Sequence, residues 1–160
     1  MPSCKSFASL SLAMLITFAG CAPRQAPSTS PAETSTVQGP VKATLLPLTD
    51  FYKIDSASGI KAYVALIDSQ NKEIQFPAVF RFELYERVFQ SGEPMGRRIK
   101  IWPDFELRST DTSDKYWQKF LSAYEFDLQL PESDTKQFIL QVTCICDNQK
   151  RLTDTMQLQK

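Results

Sequence analysis

Two thiols set two residues apart, Cys144 and Cys146, are the side chains whose types and spacing first suggest chemistry. On an extended strand, residues i and i+2 project from one face, so both sulfurs point the same way as Val142. Three chemistries fit that placement. Free cysteine is among the most buried residue types, and the pair could simply fill a core. In an oxidising compartment the two could join as a disulfide, though i and i+2 on a strand lie near the limit of reach and the bond would need a local kink. A soft-metal or redox role would want further ligands. The chain supplies none nearby: it has no histidine, and its other two cysteines, Cys4 and Cys21, fall within the first 21 residues. No metal site is expected.

The absence of histidine also removes the commonest general base and the usual neutral-pH proton switch. The carboxylates Asp104, Glu106, Asp111 and Asp114 gather along one stretch. Acidic loops at one end of a β-fold can hold calcium through oxygens, and a pair of carboxylates can hydrolyse glycosides. The alternative is a solvated acidic loop between strands. Trp102 and Trp117 are candidate stacking platforms for a sugar, or else core fillers. Arg97, Arg98 and Lys100, with Arg81 and Arg87, could meet phosphates or an anionic glycan. The interleaved Glu83, Glu86 and Glu93 favour a cross-strand charge ladder instead. Neither G-x-x-x-x-G-K, G-x-S-x-G nor H-E-x-x-H occurs. No catalytic residue and no cofactor are assigned, and the chain is not expected to be an enzyme. With 18 basic and 18 acidic residues in 160, it lacks the cationic excess of a nucleic-acid binder.

These residues must be positioned by strands, because beyond Pro40 the dominant hydrophobic period is two. Residues 43–49 (ATLLPLT) read as an edge strand, since Pro47 cannot donate a ladder hydrogen bond. Residues 60–68 (IKAYVALID) are apolar on both faces and suit a central position. Residues 78–87 (AVFRFELYER) alternate with Phe80, Phe82 and Leu84 inward, as a half-buried antiparallel strand does. A loop over 91–96 precedes RRIKIW, with Ile99 and Ile101 inward. Residues 104–115 read as a long surface loop. Over 114–123 (DKYWQKFLSA) the rings fit helical spacing after a Ser113 N-cap. Tyr124, Phe126, Leu128 and Leu130 share a face, as do Phe138, Leu140, Val142 and Cys144. Residues 147–150 read as a hairpin turn. Residues 151–159 close the chain with Leu152, Met156 and Leu158 inward. The pattern predicts an all-β fold: a single antiparallel β-sandwich of about seven strands, immunoglobulin-like or transthyretin-like, with one short helix near 114–122 and a small barrel as the alternative.

The first 21 residues are of another kind. MPSCKSFASLSLAMLITFAGC has one lysine, a short apolar run from Leu10 to Ala19 and two small residues before Cys21. The run is too short to span a bilayer, which needs about 20 apolar residues. A charged start, short apolar centre and small-residue exit make a secretory signal. Phe18-Ala19-Gly20-Cys21 resembles the lipobox of bacterial lipoproteins, although Phe18 stands where Leu, Val or Ile is usual. The resemblance implies cleavage before Cys21 and acylation of that thiol and its new amino terminus. It also implies residence in the cell envelope, on the periplasmic side of the outer membrane if the host has two membranes, because Ala22 rather than Asp follows. The organisation expected is a signal over 1–20, a tether over 21–41 rich in Pro, Ser and Thr, and the sandwich over 42–160.

A folded body on a flexible lipid leash suits an adaptor that docks onto another envelope protein. A ligand-binding module for a glycan or calcium is the alternative. A small sandwich lipoprotein carrying PAVFRFELYE (residues 77–86) is also similar to the type VI secretion lipoprotein that anchors its membrane complex, which would imply an anchoring partner.

Overall fold

The strand that the others arrange around is β3 (Ala57–Ile67), whose Ile60, Ala62, Val64 and Leu66 are fully buried on one face. The structure is a computed structural model that describes residues 39–54, 57–89, 92–130, 136–147 and 149–160. The expected signal, Cys21, the expected tether to residue 38 and the turn expected at 131–135 lie outside the described residues.

On one side of β3 runs β8 (Ala123–Gln129), antiparallel, with Ile60 opposite Leu128 and Val64 opposite Tyr124. On the other side run β1 (Lys42–Leu45) and β2 (Asp50–Ile54), both antiparallel to β3. They are one edge strand, interrupted where Pro47 stands. Thr49 repairs the gap: its hydroxyl accepts the Tyr63 N–H (3.0 Å) and donates to the Tyr63 carbonyl (3.5 Å). The two-residue β7 (Trp117–Gln118) pairs with the start of β8 and completes this sheet. At Gly59 a side chain has no room, since an added Cβ would lie 2.7 Å from the Leu128 carbonyl oxygen and 2.8 Å from the Tyr52 ring. Tyr52 instead covers that glycine and bonds through its hydroxyl to Asp127.

The second sheet centres on β4 (Ala78–Arg87) and β9 (Gln137–Cys146), paired over nine positions, with β10 (Arg151–Gln159) beyond β9. On the far side of β4 lie β5 (Met95–Ile101) and β6 (Phe105–Leu107), again one edge strand, broken at Pro103. Counting each interrupted edge once and setting β7 aside leaves seven strands among the described residues, in the orders β1/β2–β3–β8 and β10–β9–β4–β5/β6. The third, sixth and seventh strands share a sheet, as in an immunoglobulin-like sandwich, and the fourth joins them on the far side of the third. The described residues form two sheets and no closed barrel. No helix among them is long and apolar enough to cross a membrane.

The core lies between the sheets. Rings from both sides meet at its centre, with centroids 4.9 Å apart for Phe82–Phe126 and 5.0 Å for Phe80–Tyr124 and Phe80–Phe126. The face assignments for β3, β4, β8 and β9 match the alternation of the sequence, because each of those strands packs one side against the facing sheet.

Three expectations are corrected. The one short helix is present but begins earlier than 114–122: α1 spans Thr110–Tyr116, so 104–115 is not a loop, since β6 and α1 occupy most of it. Its N-cap is Ser109, whose hydroxyl accepts the Thr112 N–H while the Thr112 hydroxyl accepts the Ser109 N–H, each at 3.3 Å. Ser113, the expected cap, is buried within the helix. Ile101, expected inward, is 47% exposed. Tyr85 faces Arg98 and Leu84 faces Lys100, so Ile99 is an extra residue in β5 and reverses the parity beyond it. Trp102 then takes the inward place at 6% exposure.

Candidate functional site

Both thiols sit on the inward face of β9. Cys144 lies opposite Phe80 and Leu152, and Cys146 opposite Ala78. They are free cysteines with sulfurs 4.0 Å apart, both buried. Burial pushes the Cys144 thiol well above the ordinary range, and the neighbouring Cys146 adds to the shift. Burial raises Cys146 too, partly offset by the Cys144 hydrogen bond and by Lys150. A thiolate is the nucleophilic and metal-binding form, and this site disfavours it. The pair packs the core as small apolar groups.

The four carboxylates are not brought together. Asp104 makes a two-pronged contact with Arg81 (2.9 Å to Nε, 2.7 Å to Nη2), and that guanidinium holds its carboxyl below the usual range. Glu106 is exposed on β6. Asp111 is in the first turn of α1, and Asp114 accepts from the Gln75 amide at 2.8 Å. Among the described residues no group of three or more carboxylates and cysteines could hold a metal ion.

The tryptophans face the core or its rim. Trp102 donates its indole N–H to the Gln129 carbonyl (2.9 Å), linking the edge of one sheet to the other. The Lys100 ammonium lies 5.6 Å from its ring centroid. Trp117 packs edge-on against Tyr124 at 5.0 Å. Of the expected cross-strand ladder one rung is present, Arg98 with Glu83 at 2.6 Å; Arg81 meets Asp104 instead. Arg87 donates to the Gln137 side chain (3.1 Å) and lies 5.0 Å over the Phe89 ring.

Two arrangements were missed from sequence. The first is a polar knot around Tyr124. Its hydroxyl accepts the Phe76 N–H (2.9 Å) and donates to the Phe76 carbonyl (3.0 Å), with the Ser113 hydroxyl 3.4 Å away. Gln75 reaches both Ser113 (3.0 Å) and Asp114. One buried phenol thus ties the β3–β4 connection to α1 and β8. Burial lifts its pKa, and the two hydrogen bonds moderate the rise. Tyr124→Phe is expected to cost about 1–3 kcal/mol, because it leaves both backbone groups of Phe76 without a partner. Tyr52→Phe, whose bond to Asp127 is exposed, is expected to cost under about 1 kcal/mol. Urea unfolding of the two variants side by side checks this, and equal losses would refute it.

The second is Asp154. It lies on the same parity as Leu152, Met156 and Leu158, so the signal was there: a charge on the inward face of an edge strand. Its carboxylate accepts the Leu45 N–H at 2.7 Å, joining the edge strand of one sheet to that of the other. An inward-pointing charge at an edge also discourages strand addition from outside.

The surface adds shallow grooves. One of about 350 Å³ lies on the outer face of the second sheet, lined by Pro94, Met95, Ile139, Thr155 and Gln157. Large apolar groups are exposed at Phe120 (82%), Phe89 (59%) and Leu48 (57%). No protein-family model matches the chain, and no curated protein matches it at a significant level.

Proposed function

We propose that this protein is a lipid-anchored cell-envelope lipoprotein whose β-sandwich is a non-catalytic docking module for another envelope protein. The observation that carries the reading is the apolar run ending in Phe18-Ala19-Gly20-Cys21. Two or three acyl chains on one cysteine, each buried methylene contributing about 0.8 kcal/mol, hold a soluble body at a bilayer surface. The Pro-, Ser- and Thr-rich stretch behind Cys21 gives that body lateral reach of roughly 25 Å. The chemistry of the sandwich supports a docking role. Asp104, Glu83 and Asp114 pair with Arg81, Arg98 and Gln75, and the thiols are buried. Each of these groups serves the fold. Anchoring of a larger membrane complex, as the type VI secretion lipoprotein does, is one form such docking takes.

The anchor is tested by Cys21→Ser. Labelled palmitate is expected to attach to the parent and not to the variant, and the variant is expected to leave the membrane fraction. An unlabelled parent, or a variant that still partitions with lipid, would overturn the reading. The docking role is tested by crosslinking the acylated protein in its own membranes. A defined envelope protein is expected among the products, and its yield should fall when the exposed groups of the sandwich are changed.

A further inference from the structure

The sandwich has two ends, and the chain toward Cys21 leaves from one of them. Val41 donates its N–H to the carbonyl of Ile67, the last residue of β3, at 2.7 Å. Gly39, the first described residue, therefore stands at that end, with residues 21–38 before it. The β7–β8 turn lies at the same end. β8 pairs with β3 on the side opposite β1, and its first registered pair is Tyr124 with Val64, so residues 119–122 extend past β8 toward the level of Ile67. The departure point and this turn thus share one end of the sheet, with Glu73 and Ile74 beside β3 between them.

The tip of that turn is Phe120, 82% exposed, the most exposed large apolar side chain among the described residues. Ser122, at φ 48°, takes the left-handed conformation that closes the turn and leaves the ring outside. Val41 is exposed at 45% on the other flank. The two are separate points bordered by the exposed Lys42 and Lys119, not one continuous apolar face. An aromatic ring and an aliphatic group between lysine stems fit the boundary of a bilayer, where rings sit at headgroup level and ammonium groups stay in water. A protein partner would call for a contiguous buried patch. The charge here is mixed. Asp68 caps its own turn through the Gln70 and Lys72 amides, Asp147 pairs with Arg108, and Glu73 and Asp111 are exposed nearby.

We infer that Phe120 seats in the interface of the membrane that holds Cys21, so that the sandwich stands end-on with the β4–β5 hairpin around Phe89 directed away from the lipid. This rests on the acyl anchor proposed above. A chain of the length between Cys21 and Gly39 spans roughly 25 Å on average, so an acylated Cys21 would hold the sandwich close to the bilayer. One shallow contact then suffices, because the second binding event is intramolecular.

The test uses the acylated protein in vesicles of phosphatidylethanolamine and phosphatidylglycerol, with plain or brominated acyl chains. Phe120→Trp and Phe89→Trp are compared with the parent, which carries Trp102 and Trp117 in both cases. For a ring seated about 5–10 Å into the boundary, brominated lipid is expected to lower the added emission of Phe120→Trp about two-fold. Phe89→Trp should be unchanged. An acylated protein whose Phe120→Trp signal is not quenched overturns the inference while the anchor stands. Equal quenching at both positions also overturns it. Concentration-dependent shielding of Phe120→Trp in detergent without vesicles would assign the ring to a second copy instead. Absence of palmitate on the parent removes the anchor and this inference together.

Discussion

Phe126→Ala is expected to lower stability by about 3–5 kcal/mol, while Phe120→Ala, six positions earlier, changes it by no more than about 0.5 kcal/mol. The two side chains are the same and their surroundings are opposite. Phe126 is fully buried, with ring centroids of Phe82, Phe80 and Phe105 at 4.9–5.0 Å and of Tyr116 at 5.3 Å. Those four rings come from β4, β6 and α1, so removing the central one opens a cavity that no single element can move to fill. A domain of this size loses about 4 °C of melting temperature per kcal/mol, which places the Phe126→Ala midpoint at least about 12 °C below the parent. Thermal unfolding followed by near-ultraviolet circular dichroism reads both variants. If Phe126→Ala falls by only a degree or two, the aromatic centre is not what joins the sheets.

The second expectation concerns alkaline pH. Burial holds the Cys144 proton in the native state far above the ordinary thiol range. The unfolded chain releases the same proton near pH 8.5. Below that value both states keep it and the contribution to stability is complete. As pH rises the unfolded state gains by ionising and the native state does not, so stability falls by about 1.4 kcal/mol per pH unit until the native thiol titrates. Between pH 8 and pH 10 this amounts to about 2 kcal/mol from Cys144 alone. Cys146 adds in the same direction, and Tyr124, also raised by burial, adds above about pH 10. Urea unfolding under reductant at the two pH values measures the drop in the parent. In Cys144→Val, which keeps a small apolar group on the strand, the drop should shrink by about 2 kcal/mol. An unchanged drop would mean that the thiol is not buried as the sandwich requires.

The thiols also illustrate how far residue patterns reach. The i, i+2 spacing placed Cys144 and Cys146 on one face and period two placed that face inward. Strand existence and facing were legible for β3, β4, β8, β9 and most of β10, because the sandwich buries one face of each strand and alternation records that directly. Pro47 marked an edge strand, and the breaks at Pro47 and Pro103 fall where a missing N–H cannot serve a ladder, but the strands that resume after them, β2 and β6, were not read. Three further things were not legible. The extra residue at Ile99 carries no local signature, and it alone exchanged Ile101 for Trp102 as the inward group. The helix started four residues early because Ser109 and Ser113 are both competent caps, and the choice fell to the burial of Ser113 against Tyr124 and Gln75. The acidic residues between 104 and 114 looked like one cluster. Asp104 belongs to a cross-strand pair with Arg81 and Asp114 to the Tyr124 knot, so the fold disperses them.

From its residues alone the chain declared an all-β body, the inward faces of its main strands and, ahead of them, the apolar run to Cys21 on which the proposed anchor rests. Those are properties of composition and short-range period, which local sterics and the hydrophobic effect act on directly. Tertiary structure decided the order of the strands and the join between edge strands through Asp154. It also set the single hydroxyl that ties three elements together at Tyr124, and which phenylalanines fill the centre and which one, Phe120, is left in solvent. The Tyr124 and Asp154 contacts join residues 48 and 109 positions apart, and the free energy of such a contact exists only once both partners have been brought together.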